Sequence, residues 1–451
     1  MNLSHLLQER QAGHQPIRVA VIGCGKFATM YLTQARTTPG IHIVGIADLD
    51  LARTRANLQS AGWPESQTAA FSIDAAVQSG GTFLTEDAVT LIGDERIDVV
   101  VEATGIPREG IRHCRAAIKA GHHMVMVNVE ADVLAGPLLA REAESAGVVY
   151  SLAWGDQPAL ICEHIDWARS CGFEVTSAGK GTRYLPHYHA LTPDTVWDVL
   201  KEYLEIEDPK SINLQMFNSF LDGSKSAIEM TAVCNAMRLV PQDDGLAFPP
   251  ASRFELADIC KPASHGGTLS RSGTTEVVSS LTRDAKPIDH HLAMGTYVVV
   301  RPTTDYACQC FKEYHMLPDA SGEYGALYRP THMIGLELGV SVASAALRRE
   351  PTGSPVCFSS DVVAVAKRDL KAGEMLDGEG GFCVYGRQMP AGRSIKQSAL
   401  PLGLAGGFPL QRDVPAGTVL CEADVTLDES DAAVKARREM VSSFTPFDGG
   451  S

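Results

Sequence analysis

Ile17-Arg18-Val19-Ala20-Val21-Ile22 runs directly into Gly23-Cys24-Gly25-Lys26-Phe27-Ala28 near the start of the chain, and the reading of this stretch decides the fold. The apolar segment has the form of a buried parallel strand, and the glycine-bearing segment that of a turn into a helix. In such a turn the first glycine lets the chain reverse sharply and the second lets backbone approach a phosphate. The small third position brings the helix close to the strand. A helix starting there aims unpaired N–H groups at an anion, which is what a dinucleotide pyrophosphate needs.

Further along, Ile41-His42-Ile43-Val44-Gly45-Ile46-Ala47 ends at Asp48, at the spacing where an acidic residue meets the adenosine ribose. Ile97 to Glu102 leads into Ala103-Thr104-Gly105, and Met124-Val125-Met126-Val127 precedes Asn128-Val129-Glu130. Four strand ends with polar or small residues, separated by helical stretches, predict a doubly wound parallel sheet with its ligand crevice at the strand C-termini. The predicted cofactor contacts are the Gly23 to Ala28 turn with Asp48, Arg53, Thr104, Gly105, Asn128 and Glu130. Asn128 and Glu130 are expected toward the nicotinamide, although Glu130 also suits a solvent-facing helix. A carboxylate at Asp48 suits the free 2′-hydroxyl of NAD, whereas Arg53, Arg55 or Lys26 could grip the 2′-phosphate of NADP. The residues alone leave both open.

A chain of 451 residues has room for about three domains. Its 45% hydrophobic and 21% charged residues are those of an ordinary globular protein. A formal charge of −15 argues against nucleic acid or an anionic membrane as partner. No leader-like or bilayer-length apolar segment is apparent, so a cytoplasmic location is expected. The 11 cysteines lack a paired framework and read as free thiols, with Cys308 and Cys310 expected on one face of a strand.

The expected organisation is a Rossmann domain over 1–153, a mixed α+β catalytic and dimerisation domain over 154–350, and a small β-rich domain over 351–451. In the second, a helix is read to begin near Ser224, capped by Asp222 or Ser224, which places Lys225 and Glu229 one turn apart. The sequence around it is too apolar for a solvated helix, which makes the lysine and carboxylate candidates for carbonyl polarisation and proton transfer. Gly179-Lys180-Gly181 reads as a strand-end loop that could carry Lys180 to a carbonyl oxygen. Tyr328-Arg329-Pro330-Thr331-His332 precedes an apolar stretch read as a helix from Thr331 to Leu347, so Arg329 and His332 are expected at its positive end, suited to a phosphate. His187 and His189 could ligate a metal but fit a structural role better. In the last hundred residues Ala366 to Leu376 and Leu410 to Leu420 share the pattern Arg-Asp-apolar-x-Ala-Gly-x-apolar-Leu, which resembles SAF domains.

With these segments laid out, the chain resembles the DXR-like (DRL) family of oxidoreductases over essentially its whole length. The Gly23 to Ala28 turn, Asn128 to Asp132, Gly179 to Thr182, Asp222 to Lys225, Tyr328 to His332 and the SAF-like tail carry the likeness. The first domain is also similar to that of homoserine dehydrogenases. The resemblance implies NADPH-dependent isomerisation and reduction of 1-deoxy-D-xylulose 5-phosphate to 2-C-methyl-D-erythritol 4-phosphate in isoprenoid precursor biosynthesis (the MEP pathway). It also implies a homodimer and sensitivity to fosmidomycin. That chemistry needs proton removal from a hydroxyl, stabilisation of an oxyanion and hydride delivery. Lys180 and Lys225 are candidates for the oxyanion, and Asp222 and Glu229 for the base or for a divalent metal. Arg329 and His332 are candidates for the substrate phosphate. The alternatives are a homoserine-dehydrogenase-like enzyme acting on a hydroxy acid or sugar acid without rearrangement, and a non-catalytic cofactor sensor.

Overall fold

The computed structural model describes residues 2–203 and 212–449, in which the chain forms two compact units. The first comprises 1–160 and 333–356, the second 161–332 and 357–451. Among the described residues, no helix is long and apolar enough to cross a membrane.

The first unit is built on a parallel sheet of β1 (Ile17–Ile22), β2 (Ile41–Ala47), β3 (Phe83–Thr85), β4 (Val99–Glu102), β5 (His123–Met126) and β6 (Tyr150–Leu152), in the order β3-β2-β1-β4-β5-β6. This is the predicted doubly wound α/β sheet, and its order reverses between β1 and β4, where such folds form their crevice. The sequence pattern exposed four strands; the edge strands β3 and β6 are three residues each, too short for a periodic signal. β1, β4 and β5 are almost wholly buried, which is why they read as unbroken apolar runs.

Late residues complete this core. Leu338, Val342 and Ala343 pack with Ile17, Val19, Tyr31 and Val99. The helix they belong to runs from Gly339 to Arg348, not from Thr331 as expected. Gly335 explains the late start: it holds φ at +77°, and a side chain there would press on Phe27 and Met30. Arg329 and His332 therefore do not stand at that helix's positive end.

The second unit contains a mixed sheet of β7 (Glu174–Thr182), β8 (Thr274–Ser279), β9 (Thr296–Arg301) and β10 (Gly325–Arg329), ordered β10-β9-β7-β8. One face packs Ala178, Val277, Val298 and Val300 against Ile161 and Ile165 of the helix Gln157–Ser170, and against Met230 and Val233 of the helix Ser224–Met237. The opposite face packs Tyr297, Val299 and Val278 against Leu256 and Leu269. The Gly179-Lys180-Gly181 segment lies inside β7, not in a loop at its end. A side chain at Gly179 would collide with the Glu276 carbonyl, and one at Gly181 with that of Leu292, so these glycines serve close backbone approach. Cys308 and Cys310 lie on the helix Asp305–Glu313, capped by the Thr304 hydroxyl, and not on a strand.

The same unit includes two antiparallel pairs, β11 (Ser360–Ala366) with β13 (Val384–Pro390) and β12 (Met375–Asp377) with β14 (Gly406–Pro409). The repeat seen in the sequence is a pseudo-symmetric exchange. Asp369 accepts the Ala416 N–H and Asp413 the Ala372 N–H, both at 2.9 Å, while Leu370 bridges Val414. Each copy's aspartate closes the other copy's Ala-Gly turn.

Candidate active site

In the first unit the β1 turn is built as a phosphate cradle. Gly23 has φ +87°, and a Cβ there would lie 2.9 Å from the Ala103 carbonyl, so the chain itself requires this glycine. Gly25 is different: its φ of −77° suits any residue and an added Cβ would meet nothing within 4 Å. Absence of a side chain there keeps space open at the start of the helix Lys26–Ala35, whose buried Ala28 lets it sit against the sheet. Gly105, after β4, likewise faces open space. These residues fit a dinucleotide, whose pyrophosphate would lie against Gly23 to Lys26.

Asp48 is pinned rather than free. One oxygen accepts the Cys24 N–H at 2.7 Å; the other accepts the Asp50 N–H at 2.9 Å and faces the Arg53 guanidinium at 3.2 Å. Arg53, more than half exposed, stands beside Asp48 at the edge of this turn. The buried Cys24 thiol is pushed up to about 11 by burial and by Asp48, so it stays protonated. At the end of β4, Glu102 is fully buried; Oε1 accepts the Thr104 hydroxyl at 2.5 Å, and His113 lies 3.3 Å away. Asn128 caps the helix Val129–Ser145 by accepting the Ala131 N–H and donates to the Ile106 carbonyl, tying together the loops after β4 and β5. Glu130 is half-buried in the first turn of that helix. Phe27 packs at the edge of the Rossmann core.

In the second unit the polar groups converge on one rung of the sheet. Lys180 of β7 pairs across to Thr296 of β9, and Thr296 to Arg329 of β10. Residues directly opposite on antiparallel strands share a face, so an ammonium, a hydroxyl and a guanidinium line up on the face covered by two helices. Glu229, from the helix Ser224–Met237, meets Lys180 at 2.5 Å, with both side chains more than nine-tenths buried. His164, from the helix Gln157–Ser170, lies 3.0 Å from the Thr296 hydroxyl. Burial, reinforced by the Arg329 charge, lowers its pKa to about 4, so the ring is neutral at physiological pH.

Lys225 and Glu229 lie one turn apart on this helix, as expected, and Glu229 is ion-paired with Lys180. Lys225 is half-buried at the second position of the helix. The helix is entered through Gly223 in the left-handed region, and Asp222 supports its first N–H from outside, at Ser224. Asp222 is wholly buried and ion-paired with Lys367 at 2.8 Å. Arg329 ends β10 and donates to the Thr331 carbonyl, while His332 donates to that of Met294. His189 is held between the Asp222 carbonyl and the Tyr184 hydroxyl and stacks on Tyr385. Among the described residues no cluster of three or more His, Cys, Asp or Glu is arranged for a metal. His164 and Thr296 were not singled out from the sequence. Each resembles an ordinary core residue, and only the packing of the helix Gln157–Ser170 on the sheet brings them together.

The comparisons with known proteins divide the chain into three matched segments. Residues 17–128 match the oxidoreductase family with NAD-binding Rossmann fold, 155–338 the catalytic domain of oxidoreductase DRL, and 361–426 the SAF domain. The chain thus carries a nicotinamide dinucleotide-binding Rossmann domain and an oxidoreductase catalytic domain, followed by a SAF domain. No curated protein matches it. Matching solved structures include biliverdin reductase from Synechocystis with biliverdin and NADP+, at 20% identity over 38% of this chain and 48% of that one, TM-score 0.27. Others are myo-inositol dehydrogenase from Lactobacillus casei with NAD(H) and myo-inositol, at 14% identity over 42% and 53%, TM-score 0.29, and a variant 3-ketoreductase from Actinomadura kijaniata with TDP-benzene and NADP, at 19% over 38% and 49%, TM-score 0.26. The chain spans about half the length of these relatives.

Proposed function

We propose that the protein is an NAD(P)-dependent oxidoreductase that interconverts a hydroxyl and a carbonyl on a small acidic substrate, a hydroxy acid or sugar acid, with Lys180 as the proton-transferring group. The observation that carries this reading is the Lys180–Glu229 pair. A buried ion pair is a poor way to stabilise a core, because desolvation offsets much of its attraction. Its presence on a sheet face otherwise packed with valine, alanine and isoleucine is better explained by chemistry. Glu229 fixes the ammonium, Lys180 gives a proton to the carbonyl oxygen as it is reduced, and Arg329 holds the substrate's anion. The bound nicotinamide supplies or takes the hydride.

A second reading is favoured by the match of 155–338 to the DRL catalytic domain. In it the same residues first promote rearrangement of 1-deoxy-D-xylulose 5-phosphate, and the intermediate aldehyde is then reduced with NADPH, in a homodimer. Product identification by NMR separates the two: a branched carbon skeleton requires rearrangement, and an unbranched product retires it. For either, Lys180→Met should lower kcat by about 100-fold to 10 000-fold while NAD(P)H fluorescence titration shows unchanged cofactor binding. Undiminished turnover would remove Lys180 from the mechanism.

A further inference from the structure

We propose that Glu102 is a positioning residue for the cofactor: by holding the proton of the Thr104 hydroxyl it makes that oxygen an acceptor, and the group received there is a hydroxyl of the nicotinamide ribose. This rests on the reading of the first unit as a nicotinamide dinucleotide site and fixes the polarity of one contact within it. Glu102 closes β4 opposite Ile22, the residue that leads into the Gly23 turn, and opposite Met126 of β5. Both register partners are apolar, and the Glu102 side chain is fully buried. A carboxylate in such a place is costly unless it is well paired. Here Oε1 accepts the Thr104 hydroxyl at 2.5 Å and the Thr104 N–H at 3.3 Å and stands 3.3 Å from His113 Nδ1, while Oε2 has no partner among the described residues. An arrangement that satisfies one oxygen of two is a weak stabiliser, and two of its three contacts converge on Thr104.

Thr104 stands where a dinucleotide passes from pyrophosphate to ribose. A Cβ added at Gly23 would lie 3.1 Å from the Thr104 Cα, so the residue abuts the phosphate turn. Unlike Glu102 it is only half-buried, and the neighbouring Gly105 is exposed, with no atom within 4 Å of the position its Cβ would take. Asp48, bonded to the Cys24 N–H, marks the β2 side of the turn, where the adenine ribose belongs, which leaves the β4 side for the nicotinamide ribose. The loop is fixed from its far end as well, because Asn128 donates to the Ile106 carbonyl at 3.0 Å. A threonine hydroxyl has one proton and two lone pairs. The proton is committed to Glu102 and one lone pair faces the Ile106 N–H at 3.4 Å, so the remaining lone pair receives a donor. A ribose hydroxyl is such a donor, and a phosphate oxygen is not. The carboxylate behind the hydroxyl also strengthens it as an acceptor.

Binding to the whole protein tests this, by NAD(P)H fluorescence and by displacement with ADP-ribose and ADP, or with their 2′-phosphate forms where NADPH binds more tightly than NADH. Thr104→Val should weaken NAD(P)H and ADP-ribose about tenfold and leave ADP unchanged, since ADP alone lacks that ribose; Thr104→Ser should restore both. Glu102→Gln, whose carbonyl still takes the threonine proton, should keep most of the affinity, whereas Glu102→Met should lose about as much as Thr104→Val. When Glu102→Met and Thr104→Val are combined the losses should not add, because both remove one contact. A merely structural Glu102 predicts additive losses and an equal loss for ADP, and either result would overturn the inference. Full ADP-ribose affinity in Thr104→Val would do the same. Circular dichroism shows that each variant is folded, and if Glu102→Met is not, the Thr104 series and Glu102→Gln decide. A wild type that binds no NAD(P)H would instead remove the dinucleotide reading itself, so the two failures are distinguishable.

Discussion

At Gly25 the backbone takes a conformation open to any residue, and a methyl group would touch no atom of the protein, whereas two residues earlier Gly23 is locked at φ +87° against Ala103. The two glycines of one turn thus answer to different constraints, and substitution separates them. Gly23→Ala should destabilise the first unit by about 1–3 kcal/mol, read as a lower melting temperature. Gly25→Val should leave melting in place yet weaken NAD(P)H binding by at least about tenfold in fluorescence titration, because its side chain fills the space kept for the pyrophosphate. Full NAD(P)H affinity in Gly25→Val would mean the dinucleotide does not lie over that turn.

Among the elements, the helix Ser224–Met237 connects the catalytic sheet with the SAF segment. Glu229 faces Lys180; elsewhere Ser224 accepts the Gly386 N–H at 2.8 Å, and Asn235 accepts those of Ser359 and Ser360. Lys367, just beyond β11, reaches Asp222 at the helix entrance and also donates to the Leu191 and Gly381 carbonyls at 2.7 Å. The SAF strands are therefore part of the scaffold that holds this helix. Lys367→Met leaves a buried carboxylate alone and should cost about 3–5 kcal/mol, with Asp222→Asn in the same chain recovering part of the loss. A melting curve unchanged by Lys367→Met would show that the pair bears no load. Much at this scale was readable in the sequence. The buried strands β1, β2, β4 and β5, the helix from Ser224 and the two Asp-x-x-Ala-Gly turns all announce themselves through local patterns. Pairings set by the packing of helices on the sheet were not readable: Lys180 with Glu229 is 49 residues apart and His164 with Thr296 is 132. Local pattern also misled where tertiary contact decided, as at Gly179 and Gly181, whose turn-like composition serves a crowded strand interior.

For the molecule as a whole, buried acids set how stability depends on pH. Asp132 has no exposed surface and a single hydrogen bond, from the Tyr150 hydroxyl at 2.8 Å; burial pushes its pKa up from 3.8 to about 7. Glu276 in the other unit is likewise raised to about 7 by burial, against the opposing pull of the Val277, Ala247 and Phe248 N–H groups and of Gln242. Between pH 4 and 7 the folded chain keeps a proton on Asp132 that the unfolded chain has released, so stability falls as pH rises through this window and levels off above about 7. The buried histidines act in the opposite sense. His42, His122, His123, His164 and His189 have lowered values, chiefly from burial, so their contribution is lost as pH falls. A raw stability curve mixes the two, and the isosteric Asp132→Asn isolates one. Near pH 3, where Asp132 is protonated in the folded and the unfolded chain alike, wild type and variant should melt together. At pH 8 the variant should be the more stable, by at most about 4 kcal/mol for a shift of roughly three units, because wild type must then carry an ionised carboxylate in its core. Thermal melts of both proteins across pH 3 to 8 decide the matter, since a gap that stays constant with pH would mean that Asp132 does not titrate in this range.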